Sequence, residues 1–426
     1  MLVLLTHANH LFSDRKQVRK MQPYPPLQTL IAASLLRERG VEVAFFDATF
    51  DRDFRAALDR VRPDLLAVCE DNFNFLTKMC LGANRDLAVE MAQAARERGI
   101  ASLVNSSDAT DHPELYRRAG FGAVIGGELE PGLIRAVQNR EWRYGSLDEL
   151  PSPAWDLIDF EPYRRAWREA HGYFSINLVS SRGCPYRCNW CAKPLYGSNY
   201  RPYSPDRVAA EMQRLNAVCR PDRLWFADDI FGLSAKWTHE FADAVERRDA
   251  RIPFRMQSRC DLMTRGTVAA LRRAGCLEVW MGAESGSQRI LDAMEKGIRV
   301  EQIYAACENL RRHEIRACLF LQFGYLGEEW EDIEATIQLV RETRPDDIGI
   351  SVSYPLPGTQ FHEIVKAQIG PRANWAESGD LRQMFYSQFP TEFYRALADA
   401  LHSEVRNAGD AERAWQRVEQ LRCVYC

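Results

Sequence analysis

The chain has 426 residues, of which 46% are hydrophobic and 27% charged, and its formal net charge is −4. This is the composition of a globular protein with room for two or three domains, and a near-neutral chain without a basic run argues against a nucleic-acid partner. No stretch approaches 18 consecutive apolar residues and the amino terminus lacks the basic residues of a signal peptide, so we expect a cytoplasmic protein with no membrane partner.

Strands and helices alternate through residues 1–138, as they do in a doubly wound, Rossmann-like parallel sheet. The predicted strands are Leu2–Leu5, Val41–Phe46, Leu65–Cys69, Ala101–Asn105 and Ala123–Ile125. The predicted helices are Leu27–Arg39, Arg55–Arg62, Asn84–Arg98 and Pro131–Val137. Residues 139–170 carry Pro151 and Pro153 and are predicted to be a linker with an extended part.

A second alternating region covers residues 171–360 and predicts a partial (β/α)6 barrel. Its predicted strands are Phe174–Ser180, Arg223–Ala227, Phe254–Ser258, Leu277–Met281, Ala317–Phe323 and Ile348–Ser353. Amphipathic stretches predict helices at Pro205–Val218, Thr238–Arg248, Val300–His313 and Glu331–Arg341. Residues 361–426 are predicted to be a short helical region that ends in Cys423-x-x-Cys426.

Three cysteines, Cys184, Cys188 and Cys191, lie in one run after the first barrel strand. The CxxxCxxC spacing supplies three thiolates, which are the soft ligands that iron–sulfur clusters select. A [4Fe–4S] cube takes four ligands, so a three-cysteine motif leaves one iron for a small molecule, and Trp190 adds a flat ring beside the third cysteine. A zinc site would need a fourth cysteine or histidine at matching spacing, and none follows nearby. We expect the scattered cysteines to be core residues: Cys69, Cys80, Cys219, Cys260, Cys276, Cys307 and Cys318.

Polar residues follow the barrel strands, and in a parallel barrel the chemistry collects at the carboxyl ends of the strands. The candidates for binding a cosubstrate are Asp228, Asp229, Arg259, Glu284, Ser285 and Tyr354. Adjacent carboxylates can accept hydrogen bonds from an ammonium group, and Glu284 with Ser285 can bond to ribose hydroxyls. Taken singly, each of these is also typical of a helix cap, a turn or a surface ion pair.

The cysteine run resembles the signature of the radical SAM superfamily, and the order of the pieces resembles the subfamily with an amino-terminal cobalamin-binding-type domain. Gly126-Gly127-Glu128-Leu129-Glu130 is similar to the end of that domain, and the DD, GxESGS and PxPGT stretches are similar to its barrel. The resemblance covers residues 1 to about 360, and Leu326 departs from it where the subfamily usually has proline.

The resemblance implies a [4Fe–4S] cluster on the three cysteines and S-adenosylmethionine as cosubstrate. The cosubstrate would be bound by the strand-end residues together with Trp190. Cobalamin stays open as a third cofactor, because the chain has no D-x-H-x-x-G motif to offer a histidine to cobalt. His7 and His10, just after the first strand, are the histidines placed where a ligand of this fold would lie.

Reductive cleavage of S-adenosylmethionine to a 5′-deoxyadenosyl radical, which then takes hydrogen from a small polar natural product, is the expected chemistry. We expect dehydration of an amino sugar first, by similarity to aminoglycoside-deoxygenating radical SAM dehydratases. An acidic barrel mouth would suit such a polycation, with Asp228, Asp229, Glu328, Glu329 and Glu331. The expected partners are a small-molecule substrate, an external one-electron reductant and, for the dehydratase, an NAD(P)H-dependent reductase.

Two other reactions stay open at this stage. One is cobalamin-dependent methylation of an unactivated carbon. The other is transfer of a 3-amino-3-carboxypropyl group to arsenic, because the tail with Cys423 and Cys426 partly resembles that of the arsinothricin enzymes. The two cysteines could hold a second metal cluster, form a redox pair or bind a thiophilic substrate atom, and Arg422 stands where the resembled tail has a third cysteine. A non-catalytic electron carrier is disfavoured, since it would not need the nucleotide-binding loops.

Overall fold

The computed structural model describes residues 1–70, 81–193, 195–369, 381–407 and 409–425. The chain divides into two compact units, each assembled from several segments. The first comprises Met1–Cys184, Lys193–Asp229 and Arg247–Pro253, and the second comprises Pro185–Ala192, Ile230–Glu246 and Phe254–Cys426. The predicted division at residues 138, 170 and 360 follows the strand pattern and stays a prediction.

The first unit contains a five-stranded parallel sheet with the order β2-β1-β3-β4-β5. Its strands are β1 Leu2–Thr6, β2 Glu42–Phe46, β3 Leu65–Cys69, β4 Ala101–Asn105 and β5 Ala123–Ile125. The chain runs from β1 to β2 on one side of the sheet, and then crosses over β1 to continue through β3, β4 and β5 on the other side. The sheet therefore has a topological switch point between β1 and β3. Ligands of such sheets bind outside the carboxyl ends of the strands at that point.

Helices cover both faces of this sheet, which explains why its central strands are apolar runs instead of alternating sequences. The helices are α1 Arg15–Lys20, α2 Leu27–Glu38, α3 Phe54–Val61, α4 Leu81–Glu97, α5 Ser107–Asp111, α6 Pro113–Ala119 and α7 Leu129–Gln138. Asp53 caps α3 by accepting from the Ala56 N–H at 3.0 Å. Two apolar clusters, one containing Leu4 and the other Val3, show that alternate residues of β1 fill the cores on opposite faces.

The first unit continues into the start of the predicted barrel. Its further elements are α8 Phe160–His171, β6 Ser175–Leu178, β7 Ser181–Arg182, β8 Arg201–Pro202, α9 Pro205–Val218 and β9 Arg223–Phe226. Strands β6 and β9 pair in parallel, and β7 and β8 form a short antiparallel pair. Helix α8 occupies most of the second half of the predicted linker, because Tyr163 and Trp167 lie four residues apart on one face and are both buried.

The second unit holds four parallel strands in the order β13-β12-β11-β10. They are β10 Phe254–Ser258, β11 Cys276–Glu284, β12 Arg316–Phe323 and β13 Asp347–Val352. Its helices are α10 Ala235–Arg247, α11 Arg265–Ala274, α12 Gln288–Ala293, α13 Val300–Arg312, α14 Trp330–Thr343, α15 Gln360–Ile369, α16 Thr391–Arg406 and α17 Ala411–Tyr425.

The predicted fold class is therefore confirmed as α/β with parallel sheets. All six strands expected after residue 170 are present, and the described part of residues 361–426 contains most of α15 together with α16 and α17. Within the described residues, no helix combines the length and the apolar character that crossing a membrane requires.

Candidate active site

Cys184 follows a tightly held segment of the first unit. Gly183 has φ of +78°, and a Cβ at this position would overlap the backbone carbonyl oxygen of Asn199, so only glycine fits. After the turn, the carbonyl oxygen of Cys184 accepts from Lys193 Nζ at 3.1 Å. The first cysteine of the motif is thus preceded by a backbone conformation that its neighbours fix.

Asn189 anchors the segment that carries the other two motif cysteines, within the second unit. Its backbone N–H donates to Met294 O at 3.1 Å and its Nδ2 to Ala293 O at 2.8 Å. Its Oδ1 accepts from the Tyr325 hydroxyl at 3.0 Å, and its own carbonyl accepts from the Phe361 N–H at 2.9 Å. A short irregular segment is thereby held by four bonds to three other elements or loops, and sequence reasoning did not single out Asn189.

The three motif cysteines differ in exposure from most other cysteines of the chain. Cys184, Cys188 and Cys191 are partly exposed, whereas the scattered cysteines that the structure describes are buried: Cys69, Cys219, Cys260, Cys276, Cys307 and Cys318. Burial raises the pKa of the Cys219 thiol to about 12 and that of Cys307 to about 11, which keeps such groups protonated and inert. Cys80 lies outside the described residues.

The chemistry of this donor set fits an iron–sulfur cluster. Three partly exposed thiols on one short loop are soft ligands that a metal can reach. Among the described residues, no three Cys, His, Asp or Glu side chains are placed to share a metal ion.

Two cations lie near Cys188 in the second unit, and one of them was not predicted. Lys296 is 6% exposed, and its Nζ donates to Glu284 Oε1 at 2.6 Å. Burial disfavours the charge of Lys296, but Glu284 and Cys188 outweigh it and hold the lysine pKa above its ordinary value. Predicted Arg259 pairs with Asp261 at 2.9 Å and lies over the Tyr186 ring at 3.6 Å. The second unit therefore places two positive charges near Cys188.

Trp190 carries a hydrogen-bond donor that the described chain does not satisfy. Its Nε1 is buried and has no acceptor, and its ring packs against the apolar cluster that contains Tyr325 and Phe361. An unsatisfied buried N–H costs about 1–3 kcal/mol, so such groups call for an explanation in a functional site. A cofactor with acceptor atoms beside the third cysteine would satisfy this indole.

Glu284 and Ser285 end strand β11 in an unusual backbone conformation. Glu284 has φ of +62°, a left-handed value that costs a non-glycine residue about 1–2 kcal/mol and is typical of functional sites. Ser285 Oγ lies 3.2 Å from Thr336 Oγ1 on α14, and a Cβ on Gly286 would overlap the Ala335 carbonyl. The GxESGS turn is therefore packed tightly on α14, and both predicted residues are buried.

The two aspartates after β9 have different surroundings in the first unit. Asp228 is fully buried and accepts from the Ser180 N–H, from Ser180 Oγ at 2.7 Å and from Ser181 Oγ at 2.5 Å. Burial raises its pKa to about 7 despite these bonds. Asp229 is exposed. The two predicted ligands of an ammonium group thus differ sharply in access.

The other predicted residues lie in or near the carboxyl-terminal region. The Tyr354 hydroxyl accepts from the Leu381 N–H at 3.1 Å, which ties the loop after β13 to the chain before α16. Cys423 is exposed on α17, next to Arg422, whose guanidinium lies 4.2 Å from the centroid of the Trp330 ring. Cys426 lies outside the described residues, so its pairing with Cys423 stays a prediction.

The carboxyl edge of the five-stranded sheet is polar, and both ring nitrogens of His7 at this edge already make hydrogen bonds. His7 Nδ1 accepts from the Asn9 N–H at 3.2 Å, which leaves the proton on Nε2 to reach Asp47 at 3.1 Å. Asn105, which ends β4, donates through Nδ2 to Ile125 O and Gly127 O at 2.9 Å. Its Oδ1 is buried and has no hydrogen-bond partner within the part of the chain that the structure describes, which makes it a candidate acceptor for a ligand with N–H groups.

Comparison with known proteins agrees with this site. Residues 178–340, which include the cysteine loop and the ends of β9 to β12, match the model of the Radical SAM superfamily. An uncharacterized methyltransferase of Pyrococcus horikoshii is 29% identical over 80% of this chain and 79% of its own length. Hopanoid C-3 methylase of Methylococcus capsulatus is 24% identical over 82% of this chain and 70% of its own length.

Two solved structures share the fold over most of the chain. The radical S-adenosylmethionine methyltransferase TsrM of Kitasatospora setae, with cobalamin and a [4Fe–4S] cluster bound, has a TM-score of 0.69 and 20% identity over 88% of this chain and 79% of its own. The cobalamin-dependent S-adenosylmethionine radical enzyme OxsB has a TM-score of 0.72 and 16% identity over 98% of this chain and 70% of its own. The protein is therefore an enzyme whose residues 178–340 match the Radical SAM superfamily, and a [4Fe–4S] cluster and S-adenosylmethionine are the cofactors of that chemistry.

Proposed function

We propose that this enzyme is a cobalamin-dependent radical SAM methyltransferase that acts on a carbon atom of a small-molecule substrate. The observation that carries the proposal is the five-stranded sheet, with its switch point and polar carboxyl edge, in the same chain as the cysteine loop. The methyltransferase and the methylase named above each align over about four fifths of this chain, which supports methyl transfer.

The sheet offers specific residues to cobalamin. The switch point lies between the ends of β1 and β3, and Asn105 Oδ1 is a buried acceptor at the end of β4. The amide side chains of a corrin are hydrogen-bond donors, which fits an unsatisfied carbonyl oxygen. His7 would have to give up its bonds to Asn9 and Asp47 before it could ligate cobalt, so we expect cobalamin to bind without it.

The motif cysteines would hold the cluster, with Trp190 beside them. When bound, the cluster and S-adenosylmethionine supply a one-electron route to breaking a strong C–H bond, and cobalamin supplies the methyl group. The chain itself would supply charge: Lys296 and Arg259 place positive charge near Cys188, and Asp229 and Glu284 stay the carboxylates that the sequence predicts for the cosubstrate. An external one-electron reductant is part of this proposal.

The burial of two of the predicted acids weakens the charge argument for dehydration of an amino sugar. The acidic mouth expected from sequence included Asp228 and Glu328, but both are buried, and burial raises their pKa to about 7 and about 8. Glu328 instead accepts from the Gly324 N–H within its own loop. Fewer charges are therefore available to a polycationic substrate. Dehydration and transfer to arsenic stay predictions without support among the relatives named.

Anaerobic purification from cells supplied with cobalamin tests the proposal directly. A methyltransferase of this kind should retain a corrinoid, visible by its absorption. With a reductant and S-adenosylmethionine it should form both 5′-deoxyadenosine and S-adenosylhomocysteine. A dehydratase would form no S-adenosylhomocysteine and would not need the corrinoid. Enzyme that turns over S-adenosylmethionine equally well without cobalamin, and forms no S-adenosylhomocysteine, would refute the proposal.

A further inference from the structure

Glu130 and Arg182 form a fully buried ion pair in the first unit. Arg182 Nη2 donates to Glu130 Oε1 at 2.7 Å and Nη1 to Oε2 at 2.9 Å, and neither side chain is exposed. Nη1 also donates to the Tyr144 hydroxyl at 3.1 Å, and the guanidinium lies 5.2 Å from the centroid of the Tyr196 ring. Two parallel bonds fix the plane of the guanidinium as well as its distance.

The pair joins two segments that are far apart in sequence. Glu130 lies in the first turn of α7, at the end of the Gly126-Gly127-Glu128-Leu129-Glu130 segment that follows β5. Arg182 lies on β7, two residues before Cys184, with Gly183 between them. We propose that this ion pair is a positioning device, which holds the approach to the first cluster cysteine in place from the end of the five-stranded sheet.

Further contacts between the same two regions support the proposal. Glu128 accepts from Arg201 and from the Tyr144 hydroxyl, and Arg201 pairs with Arg182 in the β7–β8 ladder. Gly183 separates the ion pair from Cys184, has φ of +78°, and leaves no room for a Cβ beside the Asn199 carbonyl. Because only this one residue lies between Arg182 and Cys184, we expect a displacement of the Arg182 backbone to displace Cys184 as well.

Energetic reasoning also favours a positioning role. A buried ion pair gains little or no stability over apolar side chains of similar volume, because the desolvation of two charges offsets their attraction. The pair is thus poorly explained by stability, whereas partners that orient a metal ligand change metal affinity by about 10–100-fold when they are replaced. The inference rests on the motif holding the cluster, and it does not depend on cobalamin or on methyl transfer.

The test compares Glu130→Gln with a matched control in the same unit. Arg85 and Asp108 form another bidentate pair, at 2.6 and 2.7 Å, with Asp108 3% exposed, but far along the chain from the cysteines. The readouts are iron release to a chelator from the reconstituted cluster and the electron paramagnetic resonance spectrum of the reduced protein. We expect Glu130→Gln to release iron about 10-fold faster or more, with an altered spectrum, and Asp108→Asn to match the unmodified protein.

A second variant covers the case in which Glu130→Gln does not fold. The double variant Glu130→Met/Arg182→Met removes both charges and keeps comparable volume, so it should fold. We expect it also to release iron faster. The proposal fails if the double variant retains iron normally, or if Asp108→Asn loses iron as fast as Glu130→Gln. If the unmodified chain binds no iron, the cluster assignment fails instead.

Discussion

Replacing Lys296 with methionine should destabilise the second unit strongly. Lys296 and Glu284 are 6% and 4% exposed, and their 2.6 Å contact is the ion pair that neutralises the buried Glu284 carboxylate. Removing one partner of a buried pair costs about 3–5 kcal/mol, because the remaining charge is left without compensation.

The double variant Glu284→Gln/Lys296→Met separates charge from packing. This variant leaves neither charge of the pair buried, so it should recover most of the free energy of unfolding that Lys296→Met loses. Compared with the unmodified protein, it should still be less stable by about 1–3 kcal/mol because of the lost hydrogen bonds. Equilibrium denaturation of the iron-free protein in urea, carried out for the two single variants and the double variant, gives the coupling energy directly.

The single variants must be clearly non-additive if this reasoning holds. A Lys296→Met variant that loses less than about 1 kcal/mol would show that Glu284 is solvated or protonated in the folded chain. A double variant as unstable as the sum of both single changes would show that the pair is not a unit. Either result would refute the account of Glu284 as a carboxylate held by Lys296.

The other predictions concern the cysteines, Asp228 and Trp190. Alanine at any one of the three motif cysteines should abolish the brown chromophore and 5′-deoxyadenosine formation, while Cys423→Ala should keep both; loss of both in Cys423→Ala would instead give the tail a cluster role. Burial raises the pKa of Asp228 from 3.8 to about 7, so between these values the unfolded chain binds fewer protons and the stability from this group falls as pH rises, by up to about 4 kcal/mol. Asp228→Asn should remove that fall from the urea stability measured between pH 4 and 8, and an unchanged slope would contradict it. Trp190→Phe should change stability by less than about 1 kcal/mol, because Nε1 has no partner to lose, but should weaken S-adenosylmethionine binding in titrations; unchanged binding would exclude the indole from the cosubstrate site.

The strands were predictable because of how parallel sheets are buried. Strands β3, β4 and β5 have the bounds expected from sequence, since strands covered on both faces read as short apolar runs between turns. Strand β10 also has the expected bounds, and its Phe-Arg-Met-Gln-Ser sequence instead alternates buried and partly exposed residues. Helix α8 was less visible, because its polar surface and the preceding prolines favoured a linker. Only burial of Tyr163 and Trp167 on one face identifies it.

The site was predictable at the level of strand ends but not of partners. The sequence placed Glu284 and Arg259 after successive strands, and the structure brings both to the region of Lys296: the Arg259 guanidinium donates to the Lys296 carbonyl at 2.9 Å. No local pattern marks Lys296, which follows Glu284 by twelve residues across a turn and a short helix. Glu130 and Arg182 are 52 residues apart, and only the fold pairs them.

Asp228 and Asp229, the two aspartates after β9, differ in burial, and we therefore expect them to have different roles. The buried carboxylate of Asp228 accepts three bonds from Ser180 and Ser181, the residues that lead into Arg182 and the cysteine loop. Bonding to an incoming ammonium would require Asp228 to ionise and to share oxygens that the serines already occupy. Asp229 is exposed, so an incoming ligand can reach its carboxylate. We therefore expect Asp228 to act by holding the start of the loop and Asp229 to be the carboxylate that meets the cosubstrate, so that Asp229→Asn should weaken S-adenosylmethionine binding while leaving iron content unchanged. Iron loss in Asp229→Asn with normal cosubstrate binding would reverse the two roles.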